Sequence, residues 1–383
     1  MMTNRSSRCK CAGALSLLLV AAQVCAIKGV QAAPASRARP SRKSPAAPKA
    51  VAPPKDDPSG KGLAANQEEP TPAADAVPRY HAVVLDTLPG EVYCIATGIN
   101  DARQICGYSQ NQDRENTPVS WNATGGAADP LSKPAGAAMA INDKGNIVGS
   151  FLGHATLWHD AVSKDLGMPA GAVSSQAFGI NTAGDVVGGA LNAAKLSLPW
   201  LKLNGVPVTL LPCVDGWPGG LAEHISMSGL IAGKLVKANG AAHACLWTDG
   251  KPADLGTLGG EHSDAQDVNE KGTVVGIAET KDGAAHACYW QDGKIHELPL
   301  LPEGTASAAH AVNASGVIVG EGDLSNAAVW IHDIVHNLND LVIEKGFTLG
   351  NATAINDKGD ILAWGTIPGE EEVARAVLLT PAK

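Results

Sequence analysis

Residues 265–290 read AQDVNEKGTVVGIAETKDGAAHACYW. An apolar strand runs into a turn opened by Asn269 and closed by Gly272. A second apolar strand, TVVGI, follows, then a longer loop and a third strand ending in Trp290. Asn at the first position of a tight turn accepts from the backbone two residues on, and Gly at the last supplies the positive φ that is often needed there. Short apolar runs punctuated in this way predict antiparallel hairpins.

The phrase repeats along the chain. Its turn appears as ATGINDAR (96–103), AMAINDKG (138–145), AFGINTAG (177–184), AEHISMSG (222–229), AQDVNEKG (265–272), AHAVNASG (309–316) and ATAINDKG (352–359), seven copies spaced 39 to 45 residues apart. Six of the units carry a third strand ending in Trp121, Trp158, Trp200, Trp247, Trp290 or Trp330. A fourth strand completes the unit, as in KPADLGTLGG (251–260) and KIHELPLLP (294–302). Seven four-stranded units of ~43 residues predict an all-β, seven-bladed β-propeller; six blades or an open repeat array are the alternatives. YHAVVLDTLPG (80–90) looks like a fourth strand, and the last unit stops after a third, RAVLLTP (375–381). The N-terminal strand is therefore expected to close the last blade and remove a free sheet edge.

Within the repeat, Asn142, Asn181, Asn269, Asn313 and Asn356 are expected to form hairpin turns, with Ser226 substituting in the fourth copy and Arg103 replacing Gly in the first. Asn142-Asp143 and Asn356-Asp357 offer too few oxygens at set spacing for a calcium loop. An Ala stands four residues before each Asn (or Ser226), which suits a crowded strand near the central axis. The Trp residues are expected to pack between blades.

The combination of DLGTLGG (254–260), the IN-x-x-G turn before an IVG strand, and His-Ala two residues ahead of a hydrophobic–Trp pair resembles the bacterial HAF-repeat proteins, extracellular repeats of unassigned function. NLNDLV (337–342), ATAINDKGDIL (352–362) and LLTP (378–381) are similar to that family's final unit. The resemblance covers residues 79–383 and departs at the Phe of His-Ala-Phe, which is Thr156, Cys245, Cys288 or Val377 here. The His survives as His154, His243 and His286. The resemblance implies an exported propeller-like domain and hands over no catalytic residues.

Charge divides the chain. Residues 1–78 hold 11 Lys and Arg against 5 Asp and Glu, whereas residues 79–383 hold 18 against 33. So acidic a body argues against nucleic acid, whose binding depends on basic surface. Arg5, Arg8 and Lys10 precede the apolar stretch AGALSLLLVAA (12–22), and Val30-Gln31-Ala32 offers a small-residue cleavage site. Residues 1–32 are therefore expected to be a signal peptide and the protein to be secreted or periplasmic. The apolar stretch is too short for a transmembrane anchor, and Ala22-Gln23-Val24 ahead of Cys25 is a poor match to a lipoprotein box. Residues 33–78 have the Pro, Ala and charge content of a solvated linker; their basic first half also allows a weak contact with an anionic envelope.

No catalytic motif is present: the chain lacks a GxSxG elbow, HExxH, Walker loop and dinucleotide fingerprint. His154, His243 and His286 occupy equivalent places in different units, too far apart to share a metal ion, so no metal and no cofactor are expected. They are read as structural, bonded to neighbouring backbone. Of Cys94, Cys106, Cys213, Cys245 and Cys288, only Cys94 and Cys106 offer a bridge, across the first hairpin. The departures from the repeat cluster between units four and five: Trp217, Glu223, His224, Glu261, His262, Asp264 and Asp267. If their loops open at one mouth, these residues form a candidate site for a sugar or peptide. The expected function is a monomeric, non-catalytic binding scaffold for an envelope glycan or protein. The alternative is a propeller hydrolase or lyase acting on a polysaccharide.

Overall fold

The computed structural model describes residues 77–383 apart from Ala123, Ala161, Leu324, Ser325 and Lys383, with backbone alone for residues 370–373. The expected signal peptide and all but the last two residues of the linker lie outside the described residues. Seven four-stranded antiparallel sheets follow one another as propeller blades. Blade five shows the plan: an inner strand Gly259–Val268, then Val274–Thr280, Ala285–Gln291 and an outer Lys294–Glu297. The first-to-second and third-to-fourth turns open on one face, and the other connections on the opposite face. No helix is long and apolar enough to cross a membrane among the described residues.

The ring closes as the sequence predicts. Strand Tyr80–Leu85 pairs antiparallel with Glu370–Pro381, from Tyr80 opposite Pro381 to Leu85 opposite Ala376, and so becomes the outer strand of blade seven. Glu344 fastens it, accepting from the Ala82 N–H at 2.9 Å and meeting His81 at 2.9 Å.

The outer strands are shorter than the sequence suggests. The fourth strand of blade four ends at Asp254, and Gly259-Gly260 already belong to the next inner strand. Asp254 turns the chain by accepting from the Gly256 N–H at 2.9 Å. A carboxylate satisfying a backbone donor two residues on ends a strand here as it would begin a turn.

The repeated Ala and Gly have one shared cause. Ala265 faces Gly276, and Asp267 faces the next residue, Val275, so Gln266 is an extra, bulged residue. The same one-residue bulge follows the repeated Ala in all seven inner strands. It presses the two strands together: a Cβ on Gly276 would lie 2.0 Å from the Asp264 carbonyl oxygen. Blade seven carries Ala363 at this place, and its inner strand has a second register shift, between Leu349 and Asn351.

The core lies between blades. The six repeat Trp side chains are buried there. Three of them donate from Nε1 to the loop leaving the preceding blade: Trp121 to Asp86 O at 2.9 Å, Trp247 to Pro212 O at 2.7 Å and Trp330 to Pro299 O at 2.8 Å. The Trp residues thus join blades by packing and, in these three, by a hydrogen bond.

Candidate functional site

The Asn turns do more than form hairpins. Within its own turn Asn269 accepts at Oδ1 from Lys271 N (3.0 Å) and Thr273 N (3.1 Å). Its Nδ2 donates across the blade boundary, to Asn313 O at 3.1 Å. Asn313 donates to Asn356 O, Asn356 to Asn100 O, Asn100 to Asn142 O, Asn142 to Asn181 O and Asn181 to Ser226 O, at 2.8–3.3 Å. This chain of amides circles the propeller. Asp143, Asp357 and Asp101 add a parallel set, each accepting a backbone N–H from the preceding blade's turn.

The circle breaks once. Ser226 is too short to reach blade five, and Glu270 reaches back instead, accepting from the backbone N–H groups of Met227 and Ser228. Most of the residues expected to form a binding site gather at this junction. Glu223 is the bulged residue of the blade-four inner strand, and Asp264 lies on the inner strand of blade five. Lys234, on the second strand of blade four, bridges them, with Nζ 2.8 Å from Glu223 and 2.5 Å from Asp264. His224 meets Asp267 at 2.7 Å, and Asp267 also accepts from Val268 N (2.7 Å) and from Val312 N of blade six (2.8 Å).

Burial sets the protonation of this group. Asp264 is pushed up to about 7 by its burial and by the neighbouring Glu223 charge, against the pull of Lys234. For Lys234 burial disfavours the ammonium, but the two carboxylates outweigh it and hold the group charged. For His224 burial is again outweighed by Asp267, and its pKa is raised. Burial would raise Asp267; the His224 charge and the two backbone donors outweigh it and hold the carboxylate below its usual range. Each titratable group here is spent on another blade or strand.

The remaining expected residues lie elsewhere. Glu261 and His262 stand at the start of their strand, the opposite end from His224 and Asp267. Their N–H groups donate to Glu279 Oε2 at 3.1 and 3.2 Å, and His262 Nδ1 accepts from Ala242 N. Trp217 is only 7% exposed. His243 covers it at 4.6 Å between ring centroids, and Lys237 Nζ sits 4.2 Å above its ring. It is a packing residue, so the expected single mouth shared by indole, imidazoles and carboxylates is not formed. Sequence reasoning misses Lys234, Glu270 and the amide circle; the lone Ser at an Asn position signals the break in the circle that Glu270 fills, and nothing signals Lys234.

The repeated His residues are tied chiefly to side chains, and only His286 also meets backbone as expected, with Nε2 3.3 Å from Thr305 O. His154 pairs with Asp165, His243 with Asp254 and His286 with Glu297, at 2.6–2.9 Å, each carboxylate ending the neighbouring outer strand. Among the described residues no group of three His, Cys, Asp or Glu is placed to hold a metal ion. All five cysteines of the described residues are free thiols. Cys94 and Cys106 do not bridge, because they join different core clusters on opposite faces of blade one.

No family model and no curated protein matches the chain. Among solved structures it is similar to a puromycin-hydrolysing peptidase of Mycobacterium tuberculosis (TM-score 0.51, 11% identity, 79% of this chain and 56% of that one). It is also similar to TolB of Acinetobacter baumannii (0.42, 10%, 73% and 64%) and to a streptogramin B lyase (0.44, 10%, 79% and 98%). The chain thus spans less than two thirds of the TolB and peptidase chains. At such identity the likeness is one of fold: this chain is a seven-bladed β-propeller.

Proposed function

We propose that this chain is an exported, non-catalytic binding scaffold, of the HAF-repeat kind that its repeats resemble, and that it presents a rigid acidic propeller to an envelope glycan or protein. One observation carries the reading: Glu223, His224, His262, Asp264 and Asp267, ionisable residues that depart from the repeat, are engaged in ties between blades and strands, leaving rigid faces and short loops. Loops on a rigid scaffold are where binding surfaces sit. The test is binding of the purified protein to glycan and peptide arrays at low and high salt. Saturable binding that survives salt is expected; silence on both arrays removes the reading.

A second reading has one specific support. Glu223 and Asp264 face a shared ammonium, and Asp264 is raised to about 7, a range suited to acid–base chemistry. A polysaccharide hydrolase or lyase built on this pair must lose turnover in both Glu223→Gln and Asp264→Asn.

A further inference from the structure

Blade two joins its second and third strands, Ile147–Phe151 and His154–His159, through a two-residue turn, Leu152-Gly153, with φ of 53° and 82°. Two-residue turns of this backbone form are ordinarily Asn-Gly or Asp-Gly, because the first position is left-handed. This chain follows that preference at Asp249-Gly250 (φ 51° and 71°) and Asp292-Gly293 (51° and 72°). At the same geometry Leu152 places a bulky apolar side chain in an unfavourable conformation and leaves it 67% exposed. Its N–H donates to Ala135 O at 2.9 Å, and Ala135 is itself left-handed at φ 105°. Two strained non-glycine residues therefore meet on the surface, and strain of this kind collects at functional sites.

Further apolar side chains are exposed on the neighbouring elements. Ser175 N donates to Gly153 O at 2.9 Å, which brings the start of the blade-three inner strand, with Val173 at 63% exposure, beside Leu152. Exposed Ala193 and Ala194 follow from the next turn. Residues 131–136, 150–153, 167–175 and 190–197 contain no Asp or Glu, although the domain as a whole is acidic. Their only charges are the exposed Lys133 and Lys195; Asp165 at the rim is held by His154.

We propose that this face of blades two and three is a docking surface centred on Leu152, and that its occupant is an apolar polypeptide segment flanked by carboxylates. The apolar part covers Leu152 and Val173, and the carboxylates meet Lys133 and Lys195, on turns that carry no carboxylate of their own, exposed Glu115 standing at the blade-one edge beyond Asn116 and Ala135. This deepens the scaffold reading and rests on it.

The probes are synthetic peptides carrying a Leu-Phe pair between Glu, Lys or neutral flanks, titrated against the purified protein. Glu-flanked peptides are expected to bind best. Leu152→Asp, which installs the residue used at 249 and 292, is expected to keep or raise the melting temperature while weakening that binding at least tenfold. Lys133→Glu with Lys195→Glu is expected to invert the flank preference. Binding unchanged in Leu152→Asp, or indifferent to the flanks, overturns the docking surface. If the protein binds glycans but none of these peptides, the docking surface falls and the scaffold stands; if it binds neither, both fall.

Discussion

Arg103 and Asp360, 257 residues apart, lock the first blade to the last: Nε and Nη2 of the guanidinium lie 2.7 and 2.8 Å from the two oxygens of a fully buried carboxylate. Arg103 occupies the place that Gly holds in the other turns, at φ 60°, so the first turn gives up its preferred residue to make this closure. Arg103→Gly should restore the turn yet destabilise the protein by about 2–3 kcal/mol, because it leaves the Asp360 carboxylate buried with the Asn356 amide as its remaining donor. Urea unfolding measures this. A neutral or stabilising Arg103→Gly would show that strand pairing alone closes the ring.

The amide circle makes opposite predictions at its intact and broken positions. Asn313→Ala removes a buried donor and acceptor and should cost about 1–3 kcal/mol. Ser226→Asn supplies the missing amide toward Asn269 O and should gain up to ~1 kcal/mol. Melting temperature and denaturant midpoint should move in opposite directions for the two variants. If Ser226→Asn destabilises, the Glu270 contact occupies the space the amide needs.

Gly276 and Gly283 separate the two uses of glycine. Gly276→Ala brings a methyl to 2.0 Å from the Asp264 carbonyl and should cost more than about 3 kcal/mol. Gly283 has φ 85° and nothing within 4 Å of the place a methyl would take, so Gly283→Ala should cost only about 1 kcal/mol. Soluble yield and denaturant unfolding report both. Equal costs would mean that the bulge relaxes.

Period and turn chemistry make the blades legible. Asn and Gly at fixed offsets name the hairpins, Trp names the third strand, and a last unit one strand short calls for the N-terminal strand. The bulge is hidden, because a one-residue insertion leaves the apolar pattern intact; only the paired Ala and Gly betray it. The candidate site is half legible. Glu223, His224, Asp264 and Asp267 do come together, since irregularities at neighbouring units meet at one junction. Their role is not readable: whether a carboxylate faces solvent or a lysine depends on Lys234, which sits in an ordinary strand. Trp217 misleads because loop position says nothing about what folds over a ring.

The junction between blades four and five should respond to pH through Asp264. Its folded pKa, about 7, lies above the ordinary aspartate value, so the native state holds this proton more tightly than the unfolded chain. Its stabilising contribution is therefore present below the ordinary aspartate range and is lost as pH rises toward about 7. Asp264→Asn carries no proton to lose. Its stability relative to the parent protein should rise from pH 4 to pH 8, whatever the offset between the two at pH 4. His224, raised, loses its contribution as pH climbs through its folded value, and Asp267, lowered, loses its own as pH falls. Both remain in the variant and so cancel from the difference, provided that the pairs act independently. Urea unfolding of the two proteins across that range gives the difference directly. A difference flat with pH would place Asp264 in the ordinary aspartate range and would remove the acid–base argument for the Glu223–Asp264 pair.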